Sequence, residues 1–280
     1  MCNPSLGACH KKPDPAREAD RLPIRITTGL DTRATDTAFD TGDAVGLYVS
    51  VGEAISSSGN HVSNTSFTFD GSAWQSEQEL FWKDSETPAD FYCYYPYRSS
   101  IPDVHAVPVA VSSDQSTAAG YAEGDFLWGK RTEVTPTADP VRIQVGHLMS
   151  NLLIFLEPGN GYDAVSLSAD LQDIRVTGTL LHATVDLTDG TVVPTGAAED
   201  IRPFPEDSHY RALVVPQTVS GVPLVSFRVA NYTYTFSPNI TLLSGKRHKC
   251  TLRVNKTSEG IDIGIIGWET DDNDYGGSVN

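Results

Sequence analysis

The sequence predicts an all-β protein built as two tandem β-sandwich domains, and three observations lead there. Short runs that alternate apolar and polar residues recur along the chain. Clusters of Gly, Pro, Asn, Asp and Ser separate them, and helical periodicity is almost absent. A polar stretch at 132–140 carries two prolines and has strands on both sides, as an interdomain linker would.

The strand candidates follow in order. Leu22, Ile24 and Ile26 alternate with polar or Pro positions, as do Val45, Leu47 and Val49, then Phe67 and Phe69. The pattern resumes with Val141, Ile143 and Val145, continues through 152–156, 213–215 and 224–229 to Tyr232, Tyr234 and Phe236, and closes with 249–254 and 261–268. Asp70-Gly71 and Asp189-Gly190 read as hairpin turns, because Gly supplies the left-handed backbone that tight hairpins require. The expected helix is a short turn within 115–124. These elements divide the chain into an N-terminal segment 1–21, sandwiches over 22–139 and 140–270, and an acidic tail 271–280.

Charge and cysteine content narrow the function classes. A net charge of −16 argues against a surface that tracks phosphates, so no nucleic-acid partner is expected. No apolar run reaches the roughly 18–20 residues of a membrane-spanning helix. Cys93 and Cys250 sit in strand patterns and read as buried free thiols. The CxxC spacing of a zinc ribbon or redox site does not occur.

The chain also lacks the local signatures of catalysis. There is no GxSxG elbow and no HExxH pair. Ser244-Gly-Lys246 resembles half a phosphate loop, but Ile240 stands where the opening Gly belongs. His182 and Asp186 are four residues apart, which on a strand is about 13 Å, too far to share a metal. Asp271-Asp-Asn-Asp274 lacks the spacing of a calcium loop. A carboxylate pair for glycoside hydrolysis is defined in space and not in sequence, so sequence alone leaves it open. The expectation is a non-enzymatic protein without cofactor or metal. The aromatic run 91–97 and the four Trp suit either a sugar-stacking platform or a packed core, with the core favoured.

At the N-terminus, Leu6-Gly-Ala-Cys9 has the form of a bacterial lipobox and precedes the polar run 10–21. It makes Cys9 a candidate for lipidation and export. The residues ahead of it are too few for an apolar signal core, so either the true start lies upstream of residue 1 or the match is chance and Cys9 a stray Cys.

A set of motifs then resembles the fimbrillins of Bacteroidales. Thr32-Arg-Ala-Thr35 and Phe39-Asp-Thr-Gly-Asp-Ala-Val-Gly-Leu-Tyr48 look like their N-terminal signature. Phe69-Asp-Gly71 with Trp74, Phe81-Trp82, Asp90-Phe-Tyr92, Tyr94-Tyr-Pro-Tyr97, Asp125-Phe-Leu-Trp-Gly129, Val145-Gly-His-Leu148, Leu243-Ser-Gly-Lys246 and Ile266-Gly-Trp268 follow in the family's order.

The resemblance implies two transthyretin-like sandwiches, export as a lipoprotein, and assembly by donor-strand exchange at the cell surface. The implied partners are other fimbrial subunits and the outer membrane, through a lipid anchor on Cys9. Host or bacterial surface glycans or proteins would be adhesion targets. A monomeric glycan-binding lipoprotein on the same fold is the alternative.

In the family a trypsin-like protease cuts after an Arg in this region. Cleavage between Arg33 and Ala34 would release the strand carrying Leu22, Ile24 and Ile26 and open an apolar groove. Three such side chains contribute roughly 5–9 kcal/mol of gross burial energy, which favours refilling the groove with another subunit's strand. The other reading of Arg33 is an uncut loop residue. The segment 261–268 is either the last strand of the second sandwich or a donor strand. If it is the former, the acidic tail favours a tip or accessory position.

Overall fold

The computed structural model describes residues 22–30, 39–257 and 260–274. Cys9, Arg33 and Ala34 lie outside them. The first eight strands are β1 (Ile26–Leu30), β2 (Ala44–Ser50), β3 (Val62–Phe69), β4 (Trp74–Gln75), β5 (Ala89–Tyr95), β6 (Val107–Ala110), β7 (Leu127–Val134) and β8 (Val141–His147). Seven of them form one sheet in the order β1-β8-β7-β5-β2-β3-β4.

The alternation in the sequence explains one face of this sheet. Val45, Leu47, Val49, Phe91, Cys93, Ile143 and Val145 are all buried in a single core with Ile24 and Ile26. The other face carries Tyr48, Tyr92, Tyr94 and Trp128 into a second, larger core. With both faces covered, β2 is buried along nearly its whole length.

The segment ahead of β1 is held as well. Just before β1, the Ile24 N–H donates to the Leu80 carbonyl at 2.7 Å, and the Trp82 N–H donates to the Leu22 carbonyl at 2.9 Å. These bonds tie the segment ahead of β1 to residues 80–82, between β4 and β5, beside the first core.

The remaining strands are β9 (Ser150–Pro158), β10 (Leu171–Val185), β11 (Val192–Ile201), β12 (Phe204–Pro205), β13 (Tyr210–Val214), β14 (Gln217–Val219), β15 (Val225–Val229), β16 (Tyr232–Phe236), β17 (Ile240–Leu242), β18 (Lys246–Thr257) and β19 (Gly260–Asp274). They make a sheet β11-β10-β15-β16, a sheet β12-β13-β9-β18-β19, and the pair β14-β17. Strand β6 crosses over to pair with β10. Both expected hairpins are present: Phe69 pairs with Trp74 across Asp70-Gly71, and Val185 pairs with Val192 across Asp189-Gly190.

Three expectations need correction. Strand β8, assigned above to the second sandwich by the boundary at 139/140, belongs to the first sheet. Of the stretch 132–140, residues 132–134 end β7 and 135–140 are the turn to β8, and turns within a sheet use the same Pro and polar residues as linkers do. The tail was placed at 271–280, but β19 runs to Asp274. Its register sets Lys246, Arg247 and Lys249 opposite Asp274, Asp271 and Glu269, so acidic residues that read as a tail belong to a ladder. The expected helical turn is the helix Ala118–Ala122, where the Thr117 hydroxyl caps the Gly120 N–H. A second helix, Ala164–Asp170, was not anticipated. Asp163 and Ser166 start it with a capping box.

Gln115 ties the halves together. It is fully buried. Its side-chain amide donates to the Leu213 and Ser112 carbonyls at 2.8 and 3.0 Å, and its oxygen accepts the Leu213 N–H at 2.8 Å. Gln115→Ala removes that partner from a buried backbone N–H and C=O. A loss of about 2–4 kcal/mol in urea denaturation is expected. A loss under about 0.5 kcal/mol would mean that water takes over both bonds.

Candidate functional site: the first-strand slot

The residues 22–30 fill a slot between two walls. On one side, 22–24 pair with 80–82. On the other, β1 pairs in parallel with β8, from Ile26 opposite Val141 to Leu30 opposite Val145. The Val141 N–H donates to the Arg25 carbonyl at 2.8 Å and joins the two halves of the slot. Alternation sets the direction of the side chains: Arg25 and Thr27 are exposed, whereas Ile24 and Ile26 are each 5% exposed. Leu22 packs on the same core at its margin.

The core beneath is aromatic and aliphatic. Trp82 is buried against Phe91 with ring centroids 5.4 Å apart, and its indole N–H donates to the Thr137 carbonyl at 3.2 Å. Without 22–30, this apolar surface and the backbone groups of 80–82 and 141–145 would face water unpaired.

All three residues expected in a removable strand, Leu22, Ile24 and Ile26, therefore lie together in one slot. The sequence reading did not identify its walls. Their signals were present in Phe81-Trp82 and in the alternating Val141, Ile143 and Val145. The segment 261–268, left open between donor and sheet strand, pairs antiparallel with β18 as part of β19.

The other candidates are structural. Phe91, Tyr92 and Tyr94 are buried, as are Trp74, Trp82 and Trp128, so this cluster packs the cores and presents no stacking platform. Cys93 and Cys250 are free and buried, and burial pushes both thiols up to about 12, which keeps them unreactive. Asp186 faces His105, at 3.2 Å. The Ser244 hydroxyl donates to the Leu148 carbonyl at 2.9 Å, which gives the apparent half phosphate loop a role as a turn. Among the described residues, no group of three or more His, Cys, Asp or Glu side chains could hold a metal ion.

A family match covers most of the chain. The model of a family described as fimbrillin-like matches residues 32–268. The chain belongs to the fimbrillin-like family. Its members are structural proteins, and this fimbrillin-like chain is accordingly not an enzyme.

A Bacteroides uniformis protein named "Putative fimbrium subunit Fim1C" is 23% identical over 267 residues, covering 89% of this chain and 85% of that protein. A Bacteroides ovatus protein named "Putative fimbrium tip subunit Fim1C" is 30% identical over 148 residues, covering 47% of this fimbrillin-like chain but only 27% of its own length. Among solved structures, a "putative cell adhesion protein" from Bacteroides uniformis superposes with a TM-score of 0.70 at 20% identity, over 91% of this chain and 99% of that one. The likeness at that identity is one of fold.

Proposed function

We propose that this fimbrillin-like protein is a subunit of cell-surface fimbriae that accepts a strand from a neighbouring subunit into the slot now filled by residues 22–30. The observation that carries the reading is the placement of Ile24 and Ile26, two buried anchors on a terminal strand held between 80–82 and β8. Cleavage between Arg33 and Ala34, just beyond that strand in the sequence, would free it. An incoming extended segment would then recover the same backbone bonds and fill the same apolar sites, the physics of strand addition. Acylation at Cys9 would hold the protein at the outer membrane until the cut releases it.

The pairing of β19 supports a tip or accessory position. Its segment is engaged along its length with β18, as a strand of this sheet and not as a projecting donor. The protein then takes a strand without giving this one, and the relative named as a tip subunit is in keeping with that position.

The test treats the full chain with a trypsin-like protease and sequences the new N-terminus. It then adds a labelled peptide with the sequence of residues 22–30. The proposal expects a terminus at Ala34, loss of the first strand, and uptake of the peptide into a complex that survives gel filtration. A terminus retained at Cys9, or an emptied slot that takes no peptide, would overturn it.

A further inference from the structure

A cleft of about 490 Å³ opens beside β10, far in sequence from the slot, lined in part by Asp173, Arg175, Arg202 and Tyr210. Its size falls in the range of small-ligand sites. The backbone there is deformed. The register of β10 against β15 shifts between Gln172 and Arg175, and within this bulge Asp173 has a φ of 50°, which non-glycine residues rarely adopt. Bulges re-aim side chains, and such backbone strain concentrates where a site requires it.

Here the bulge sets up a guanidinium. The Asp173 carboxylate accepts the Arg175 Nε–H at 2.9 Å. The terminal Nη groups of Arg175 make no further hydrogen bond among the described residues. Arg202 enters from the end of β11. Its backbone is fixed, with its N–H donating to the Ser113 carbonyl at 2.8 Å and its carbonyl accepting the Gln115 N–H at 2.9 Å. Its side chain is exposed and makes no ion pair with a described residue. The lining of this cleft carries Arg175, Arg202 and Asp173, and Asp114, bridged to Arg202 through the backbone, lies near enough for both arginines to help lower its carboxyl. Ile174, Pro203 and Pro205 supply an apolar part of the wall.

We infer that this cleft binds a carboxylated sugar, a hexuronate or a sialic acid, at the end of a surface glycan. The free guanidinium edges match a carboxylate, to which Arg can donate two parallel hydrogen bonds. The apolar wall suits the C–H face of a pyranose ring, and the volume holds one or two such rings. A neutral sugar would leave the Arg202 guanidinium and the Nη edge of Arg175 without a carboxylate, and a bare carboxylate would leave the apolar wall uncovered. The cleft lies outside the first-strand slot, so the inference does not rest on strand exchange.

Calorimetric titration of the full chain with glucuronic acid and N-acetylneuraminic acid tests it, with glucose, acetate and an acidic hexapeptide in parallel. Saturable binding of at least one acid sugar is expected, about tenfold or more tighter than acetate, with no binding of glucose. The preferred acid sugar identifies the source. Arg202→Gln and Arg175→Gln should each weaken binding about tenfold or more, by loss of a charge-assisted bond. Arg202→Lys should restore part of it, and Lys83→Gln in the loop between β4 and β5 should change nothing. Unchanged thermal midpoints show that the variants are folded. If Arg175→Gln unfolds, Arg202→Gln alone decides. Acid sugars that bind no tighter than acetate, an acidic peptide that binds as tightly as the sugars, or binding indifferent to Arg202→Gln would each overturn the inference.

Discussion

Ile26→Asp is expected to expel the first strand from its slot. Ile26 is 5% exposed and faces the first core beside Ile24. Replacing it removes about 1.5–3 kcal/mol of apolar burial. It also leaves a carboxylate that must either ionise without a partner or bind a proton, at a further cost of several kcal/mol. Against this, strand β1 has only one edge in the main ladder, the parallel pairing to β8. The cheapest response is for 22–30 to leave while the sheet behind it persists. Limited proteolysis should then cut within 22–30 at protease levels that spare the parent, and the thermal midpoint should fall by several degrees. Thr27→Asp, one residue on and exposed, is the control and should leave both unchanged. Parent-like protease resistance in Ile26→Asp would show that the strand is not the weakly held part of the sheet.

Gly129→Ala is expected to be the most damaging single methyl in the first sheet. A Cβ at Gly129 would stand 1.8 Å from the Gln144 carbonyl oxygen and 2.9 Å from the Val145 Cα. Both are backbone atoms of β8 and cannot swing aside. The β7–β8 ladder pairs Leu127 with His147 and Trp128 with Gly146 and ends just before Gly129. A methyl would force β8 away, and β1 leans on β8. A loss of about 3 kcal/mol or more is expected in chemical denaturation, in the range of severe overpacking.

Gly42→Ala separates sterics from backbone preference. Gly42 has a φ of 102° but nothing within 4 Å of its added Cβ, so strain alone acts there, at roughly 1–3 kcal/mol. A Gly129→Ala loss no larger than that of Gly42→Ala would mean that β8 yields easily.

What the sequence disclosed and what it hid divide along physical lines. Alternation reports which face of a strand is buried, and so the set Val45, Leu47 and Val49 and the set Val141, Ile143 and Val145 were both legible as strands. Alternation does not report the partner, and β8 was therefore assigned to the wrong half. Its neighbours are β7 and, across a long gap in sequence, β1. The hairpins at Asp70-Gly71 and Asp189-Gly190 were legible because their chemistry is local. Helix Ala164–Asp170 was missed because seven residues give too little periodicity, although Asp163 and Ser166 mark its start.

The slot was half legible. Its contents appeared as Leu22, Ile24 and Ile26, but its walls meet only in space. The cleft by Asp173 left no trace, since a bulge and a left-handed aspartate are consequences of packing that no short motif announces.

The parallel pairing of β1 with β8 also sets a schedule for biosynthesis. Ile26 finds its neighbour Val141 more than a hundred residues later in the chain. Residues 26–30 can therefore be seated in this sheet only after β8 itself has been made, and until then their edge lacks this partner. In that interval it needs shielding, because an unpaired strand is open to association with its neighbours. A segment seated last is one on which the rest of the sheet would depend least, and the proposed strand exchange requires just that, an occupant replaceable without rebuilding the sheet.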